Sequence, residues 1–210
     1  MVKVAPSILA ADFDRLAEEI KDVELAGADY IHIDVMDGEF VTNKTEGLEM
    51  LKISSDSTNL VLDTHLMVEN PKDWIDDFSK SDIITFHIEA VDEETANKII
   101  EELHEREIKV GISIKPDTSI DEVKPYIDKI DMVLVMTVEP GKGGQKLIPE
   151  CLEKVKILRE IAPDLDIEVD GGINLETVEE VKKAGANVIV AGTAIFGAED
   201  RKFVIDKFKN

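Results

Sequence analysis

VKVAPSILAADFDRLAEEIKDVELAGADYIHIDV, residues 2–35, contains one complete unit of the fold. It opens on a short apolar run, VKVAPS (2–7), and continues into DRLAEEIKDVELAG (14–27), where apolar residues recur at helical spacing up to a glycine stop. It closes on a second β-branched run, DYIHIDV (29–35). Short β-branched runs bounded by turn residues read as strands, and apolar residues three and four apart read as a helix. The same alternation continues along the chain. Further strand-like runs are LVLDTHLM (60–67), DIITFHI (82–88), IKVGISI (108–114), DMVLVMTV (131–138), DIEVD (166–170) and NVIVAG (187–192). Helix-like stretches are DEETANKIIEELHERE (92–107), ECLEKVKILREIAP (150–163), LETVEEVKKAGA (175–186) and, with the weakest pattern, EGLEMLKI (46–53). Strands alternating with helices imply a parallel sheet, and eight such units predict a closed (β/α)8 TIM barrel. At 210 residues it is expected to be a compact barrel, one domain over 1–210. An open doubly wound sheet has less support, because no G-x-G-x-x-G follows the first strand.

Composition narrows the function. Lys and Arg total 24 against 46 Asp and Glu, a net charge of −22. A nucleic-acid binder needs a basic footprint and an anionic membrane attracts cations, so neither partner is expected. No apolar run reaches the roughly 20 residues of a membrane-spanning helix. The opening MVKVAPSILAADFD has no long apolar signal region, so a soluble cytoplasmic protein is expected. The single cysteine, Cys151, excludes an internal disulfide. An anionic ligand must be held against this surface by local dipoles, backbone amides or a metal.

A barrel carries its chemistry at the C-terminal ends of its strands. His32 and Asp34 lie two apart on strand two and share a face, with Ile31, Ile33 and Val35 on the helix side. His65 comes from strand three, His87 from strand four and Asp170 from the end of strand seven. His32, Asp34, His65 and Asp170 form a mixed nitrogen and oxygen set that suits zinc, iron, cobalt or manganese, with zinc placed first. Glycine clusters follow strands six, seven and eight: GKGGQ (141–145), DGG (170–172) and AGT (191–193). Loops after strands seven and eight of such barrels often bind phosphate, where glycine lets backbone N–H groups approach the oxygens.

The motifs APSILAADF, HIDVMDG, THLMVENP, ITFHIEA, VLVMTVEPGKGGQK, EVDGGIN and AGTAIF, in this order, resemble those of the ribulose-phosphate 3-epimerase family. The resemblance spans residues 5 to about 196 and implies a ribulose-phosphate-binding barrel. It implies a metal-dependent enzyme that interconverts D-ribulose 5-phosphate and D-xylulose 5-phosphate. By the same resemblance, His32, Asp34, His65 and Asp170 hold the metal. Asp34 removes the C3 proton on one face of the substrate, and Asp170 returns a proton on the other. Ser7 and His65 contact the substrate, and Met36, Met67 and Met136 lie near the intermediate. Gly171, Gly172, Gly192 and Thr193 hold the phosphate, while Gly141, Lys142, Gly143 and Gly144 close over the substrate. A homo-oligomer, dimer or hexamer, is also implied. The chemistry agrees with the residues. A proton beside a ketone is weakly acidic, a Lewis acid can stabilise the resulting enediolate, and two carboxylates on separate strands can serve opposite faces.

The family usually reads DGHFVPN where this chain has DGEFVTN, so Glu39 and Thr42 depart from its pattern. Lys115 and Lys142 stand where asparagine and phenylalanine are frequent, and both lysines are candidates to offset the negative surface at the mouth. Other readings are a 3-epimerase for another ketose phosphate such as a hexulose 6-phosphate, a barrel decarboxylase or aldolase, and a non-catalytic sugar-phosphate sensor. Strand three reads DTH rather than the D-x-K of the decarboxylases, and a sensor needs neither carboxylate. One step below the strand ends, Asp63, Ser113 and Glu168, with Thr85, also point inward. They are expected to form a buried polar layer that orients the ligand imidazoles, with Lys3 neutralising one carboxylate.

Overall fold

The structure, a computed structural model, describes residues 2–210. It contains eight strands: β1 (Lys3–Pro6), β2 (Tyr30–Met36), β3 (Val61–Met67), β4 (Ile83–His87), β5 (Lys109–Ile114), β6 (Met132–Met136), β7 (Asp166–Asp170) and β8 (Val188–Ala191). All pairings are parallel, running from β2 in chain order to β8 and then to β1, which gives the expected TIM barrel. Every strand lies within two residues of the boundaries read from the sequence. β1 and β2 share one bridge among the described residues, Ser7–His32.

A repeated device closes the lower rim. The residue just before each even strand is Asp29, Asp82, Asp131 or Asn187. Its side chain accepts from the second backbone N–H of the preceding strand: Val4 (2.8 Å), Leu62 (2.8 Å), Val110 (2.9 Å) and Ile167 (2.7 Å). Its own N–H donates to the carbonyl of that same residue, at 2.9, 3.0, 2.9 and 3.0 Å respectively. Strand ends that would leave orphaned donors are thereby satisfied.

Five of the helices are those expected: α1 (Leu16–Leu25), α2 (Gly47–Ser57), α3 (Glu93–Glu105), α4 (Leu152–Ile161) and α5 (Val178–Ala184), the last ended by Gly185 at φ 114°. Two more follow β8, α6 (Thr193–Phe196) and α7 (Arg201–Lys209). Strict alternation fails at two crossings. β3 connects to β4 through a single 3-10 turn, Pro71–Trp74, and β5 connects to β6 through Ile120–Glu122 and Lys124–Lys129. Pro125 interrupts any continuous α-helical ladder across 120–129 in the second case, since proline lacks the N–H that such a ladder needs. The first crossing is short and opens on Pro71, and Ile75 and Phe78 cover the sheet there.

Ile31, Ile33 and Val35 pack into the core between sheet and helices, so His32 and Asp34 face the barrel axis. The barrel interior is layered. At the bottom Tyr30, Ile83, Met132 and Val188 form an apolar plug. Above it Asp63, Thr85, Ser113 and Glu168 are fully buried, the polar layer expected from the sequence. Lys3 does not neutralise that layer. It stands at the very start of β1, one step too low, and pairs instead with Asp166 at 2.7 Å.

Candidate active site and metal centre

β2 ends by presenting Asp34 to the interior, and Thr45 fixes that end. Its hydroxyl donates to Asp34 O (2.9 Å) and accepts from Met36 N–H (3.0 Å). Thr137 does the same at β7, where its N–H donates to Asp170 O (2.8 Å) and its hydroxyl to Gly171 O (2.6 Å). No sequence signal marks either threonine, because a threonine near a strand end carries no pattern of its own.

His32, Asp34, His65 and Asp170 each bring one potential ligand atom to a point where all four lie within 4.8 Å of one another. His32 and His65 are completely buried. His32 Nδ1 donates to Asp63 Oδ2 (2.6 Å), which leaves Nε2 aimed toward Asp34 Oδ1 (3.5 Å). That Nε2 is buried without a hydrogen-bond partner. An orphaned imidazole nitrogen beside two carboxylates is the donor set a divalent cation needs, and a carboxylate behind the ligand histidine is its usual support. The residues therefore fit a metal ion. Ser7 Oγ donates to Asp34 Oδ2 at 2.6 Å.

The fields at the two aspartates oppose one another. Burial pushes Asp34 up, but the positive charge of His32, whose Nε2 stands 3.5 Å away, outweighs it and holds Asp34 well below the usual carboxylate range. Burial, reinforced by the Asp34 charge, raises Asp170 to about 6. Burial lowers His32, yet Asp63 and Asp34 overcome it and hold the ring well above its ordinary value. Glu168 is raised strongly by burial and by Asp63. Paired groups driven apart in this way are a mark of acid–base sites.

Asp34 and Asp170 line a cavity of about 750 Å³ at the top of the barrel. Ser7, Met36, Met67, Met136, Gly141, Lys142, Gly143, Gly144, Gly171, Gly172, Gly192 and Thr193 line it as well. His65 does not reach its wall and stands behind Asp34, with Nδ1 3.4 Å from Asp34 Oδ1. Gly172 must be glycine, since at φ 69° a Cβ would sit 2.1 Å from Leu147 N. Gly141, at φ 100°, lies against Val41, and its carbonyl accepts from Asn43 Nδ2 (2.7 Å), which ties the covering loop to the β2 loop. The two lysines separate. Lys142 faces the cavity, whereas Lys115 lies over the Phe40 ring, 3.8 Å from its centroid. The Lys115 ammonium is occupied there, so it does not offset charge at the cavity.

A sequence model of the ribulose-phosphate 3 epimerase family matches residues 3–196. The chain belongs to that family. Ribulose-phosphate 3-epimerase of Bacillus subtilis is 46% identical, over 100% of this chain and 99% of its own length. The Schizosaccharomyces pombe enzyme of the same name is 45% identical over 99% of this chain and 92% of its own. A cytoplasmic isoform from Oryza sativa is 43% identical over 99% and 92%. Among solved structures, a 3-hexulose-6-phosphate synthase superposes with a TM-score of 0.71 at 19% identity, covering 100% of this chain and 98% of that one. KGPDC from Streptococcus mutans also gives 0.71, at 16% identity, covering 100% and 96%. At such identities these two share the barrel, and the family rests on the closer relatives.

Proposed function

We propose that the chain is a metal-dependent 3-epimerase interconverting D-ribulose 5-phosphate and D-xylulose 5-phosphate, with residues 1–210 working as one barrel domain. The observation that carries this reading is the pair Asp34 and Asp170, on β2 and β7, which line one cavity with their proton affinities driven in opposite directions. Asp34, ionised and steadied by Ser7, accepts the C3 proton from one face of the ketose. Asp170, whose proton affinity burial and the Asp34 charge raise, delivers a proton to C3 from the other face, which inverts the centre. One proton is taken and one given, and the return reaction exchanges the two roles.

His32, Asp34, His65 and Asp170 are the proposed metal ligands, and zinc suits two imidazoles and two carboxylates, as iron, cobalt or manganese also would. A bound divalent cation supplies Lewis-acid stabilisation of the negative charge that develops on the substrate oxygens. Met36, Met67 and Met136 give the reacting carbons a polarisable, water-excluding wall. The phosphate sits on the backbone of Gly171, Gly172, Gly192 and Thr193, with Lys142 on the covering loop supplying local positive charge. The three sequence relatives named above are all called ribulose-phosphate 3-epimerase, which favours the pentulose phosphate over a hexulose phosphate. We further propose cytoplasmic residence, in keeping with the rice isoform, and a dimer or hexamer in solution.

Solvent-deuterium exchange at C3, measured on a panel of ketose phosphates after chelation and metal add-back, tests the reading. Exchange is expected into ribulose 5-phosphate, and epimerisation at C3 is expected to be lost in Asp34→Asn and Asp170→Asn. Exchange into none of the panel would overturn it.

A further inference from the structure

One fully buried histidine has no part in the mechanism above. His87, at the end of β4, places Nε2 2.9 Å from Nε2 of His65. Its other nitrogen, Nδ1, lies 3.0 Å from Glu89 Oε2. Glu89 is itself held, since Oε1 accepts from Lys115 N–H (2.7 Å) and from the Thr118 hydroxyl. Lys154 Nζ donates to the carbonyls of Lys115, Pro116 and Thr118 at 2.9, 2.6 and 2.6 Å, which fixes the loop that carries those donors. Phe40 packs on the His87 ring, 4.8 Å between centroids, and the Lys115 ammonium lies over the Phe40 ring.

With Glu89 ionised and both rings neutral, these contacts place each proton. An ionised carboxylate only accepts, so the proton facing Glu89 belongs to His87 Nδ1. A neutral imidazole carries one proton, so His87 Nε2 is bare and accepts. The proton shared by the two rings therefore sits on His65 Nε2, and His65 Nδ1, on the Asp34 side, keeps its lone pair.

We infer that His87 and Glu89 are positioning residues that lock the tautomer of His65 and hold its Nδ1 ready as a metal ligand. The inference rests on the proposed role of His65 in the metal centre. It extends the support seen at the other ligand imidazole. Asp63 bonds directly to His32, whereas His65 reaches its carboxylate through a second ring. The carboxylate thus stands on the β4 loop, one ring farther from the cluster, where its side chain keeps 20% exposure.

Two measurements test this. In the zinc-loaded parent protein, nitrogen-15 spectra of the histidines should show His87 protonated at Nδ1 and bare at Nε2, with His65 protonated at Nε2. The opposite tautomer at His87 would overturn the relay even with zinc on His65. Zinc missing from His65 would instead overturn the metal reading, and the relay with it. In the second measurement, zinc affinity is read by competition with a chromophoric chelator, and the visible bands of the cobalt-loaded protein are recorded alongside. Loss of a supporting group behind a metal ligand typically weakens binding roughly 10–100-fold. E89Q and His87→Phe are expected to weaken zinc by that order and shift the cobalt bands. E89D and His87→Gln, which keep an acceptor, should recover most of the loss. E89Q and His87→Phe that bind zinc as tightly as the parent, with unchanged cobalt bands, would overturn the proposal. The spectra of the parent protein decide the question even where a variant does not fold.

Discussion

The two ends of the barrel use the same side chains for opposite purposes. At the lower rim Asp29, Asp82 and Asp131 each accept from a backbone N–H at 2.8–2.9 Å, so their charge is committed to joining neighbouring strands. Higher up, Asp63 Oδ1 and both Glu168 oxygens are fully buried without a partner, and His32 Nε2 beside them is orphaned as well. Burying a charged or polar group without compensation costs several kcal/mol, so satisfied carboxylates mark structure and unsatisfied ones mark a site that expects a ligand. The difference lies in position. Rim aspartates precede their strands and meet free strand ends, whereas interior ones fall mid-strand, where every neighbouring N–H is already paired.

The contrast can be broken from either end. The largest effect is expected at the top: Asp34→Asn or Asp170→Asn should lower the epimerisation rate about 10²–10⁴-fold, the usual contribution of a positioned acid or base. Circular dichroism should be unchanged. Stripping the metal with a chelator should abolish C3 exchange, and add-back should restore it. Metal present at about 100 times its dissociation constant should stabilise the fold by roughly 2.7 kcal/mol in denaturant titrations. At the rim the pattern should invert. Asp82→Ala orphans the Leu62 N–H and is expected to cost about 1–3 kcal/mol of stability, read by urea unfolding, with kcat unchanged.

Acid should sharpen the comparison further. Hydrogen bonds from His87, the Lys115 N–H and the Thr118 hydroxyl overcome burial and lower Glu89 from 4.5 to about 2, so its stabilisation is fully present above pH 4.5 and disappears as pH falls toward 2. Urea unfolding of the metal-free parent and E89Q should therefore differ by about 1–2 kcal/mol at pH 6 and converge near pH 2. The smallest effect concerns the overall charge of −22, which repels an anionic substrate at long range. Added salt should raise kcat/KM modestly, about twofold or less between low and physiological ionic strength, as stopped-flow or steady-state rates would reveal.

Strands and catalytic face were legible because β-branched runs and the two-residue alternation are local properties of the chain. The inward set of Asp63, Thr85, Ser113 and Glu168 followed from that alternation alone. Partners across the barrel were not legible. Pairing Lys3 with Asp166 depends on how far β1 is staggered against β7, and stagger has no local signature. His87 and Glu89 sit in plain view within ITFHIEA, but their link to His65 requires the register of β3 on β4. The two crossings without an α-helix show the limit of counting units, since a barrel needs a covered wall there and a proline-bearing turn with a few large apolar side chains covers it.

Seen as a hoop, the barrel is laced by hydrogen-bonded ladders at seven joints, and at the eighth, between β1 and β2, by one bridge with the Asp29 link beneath it. The proposed metal ligands fall on both sides of that joint, with Asp170 on β7 and His32 and Asp34 on β2. A cation held there would act as a clasp across the open joint. Removing it should loosen the wall first along β1, so that amide hydrogens of β1 and β2 exchange sooner while the ladders from β3 to β6 keep their protection.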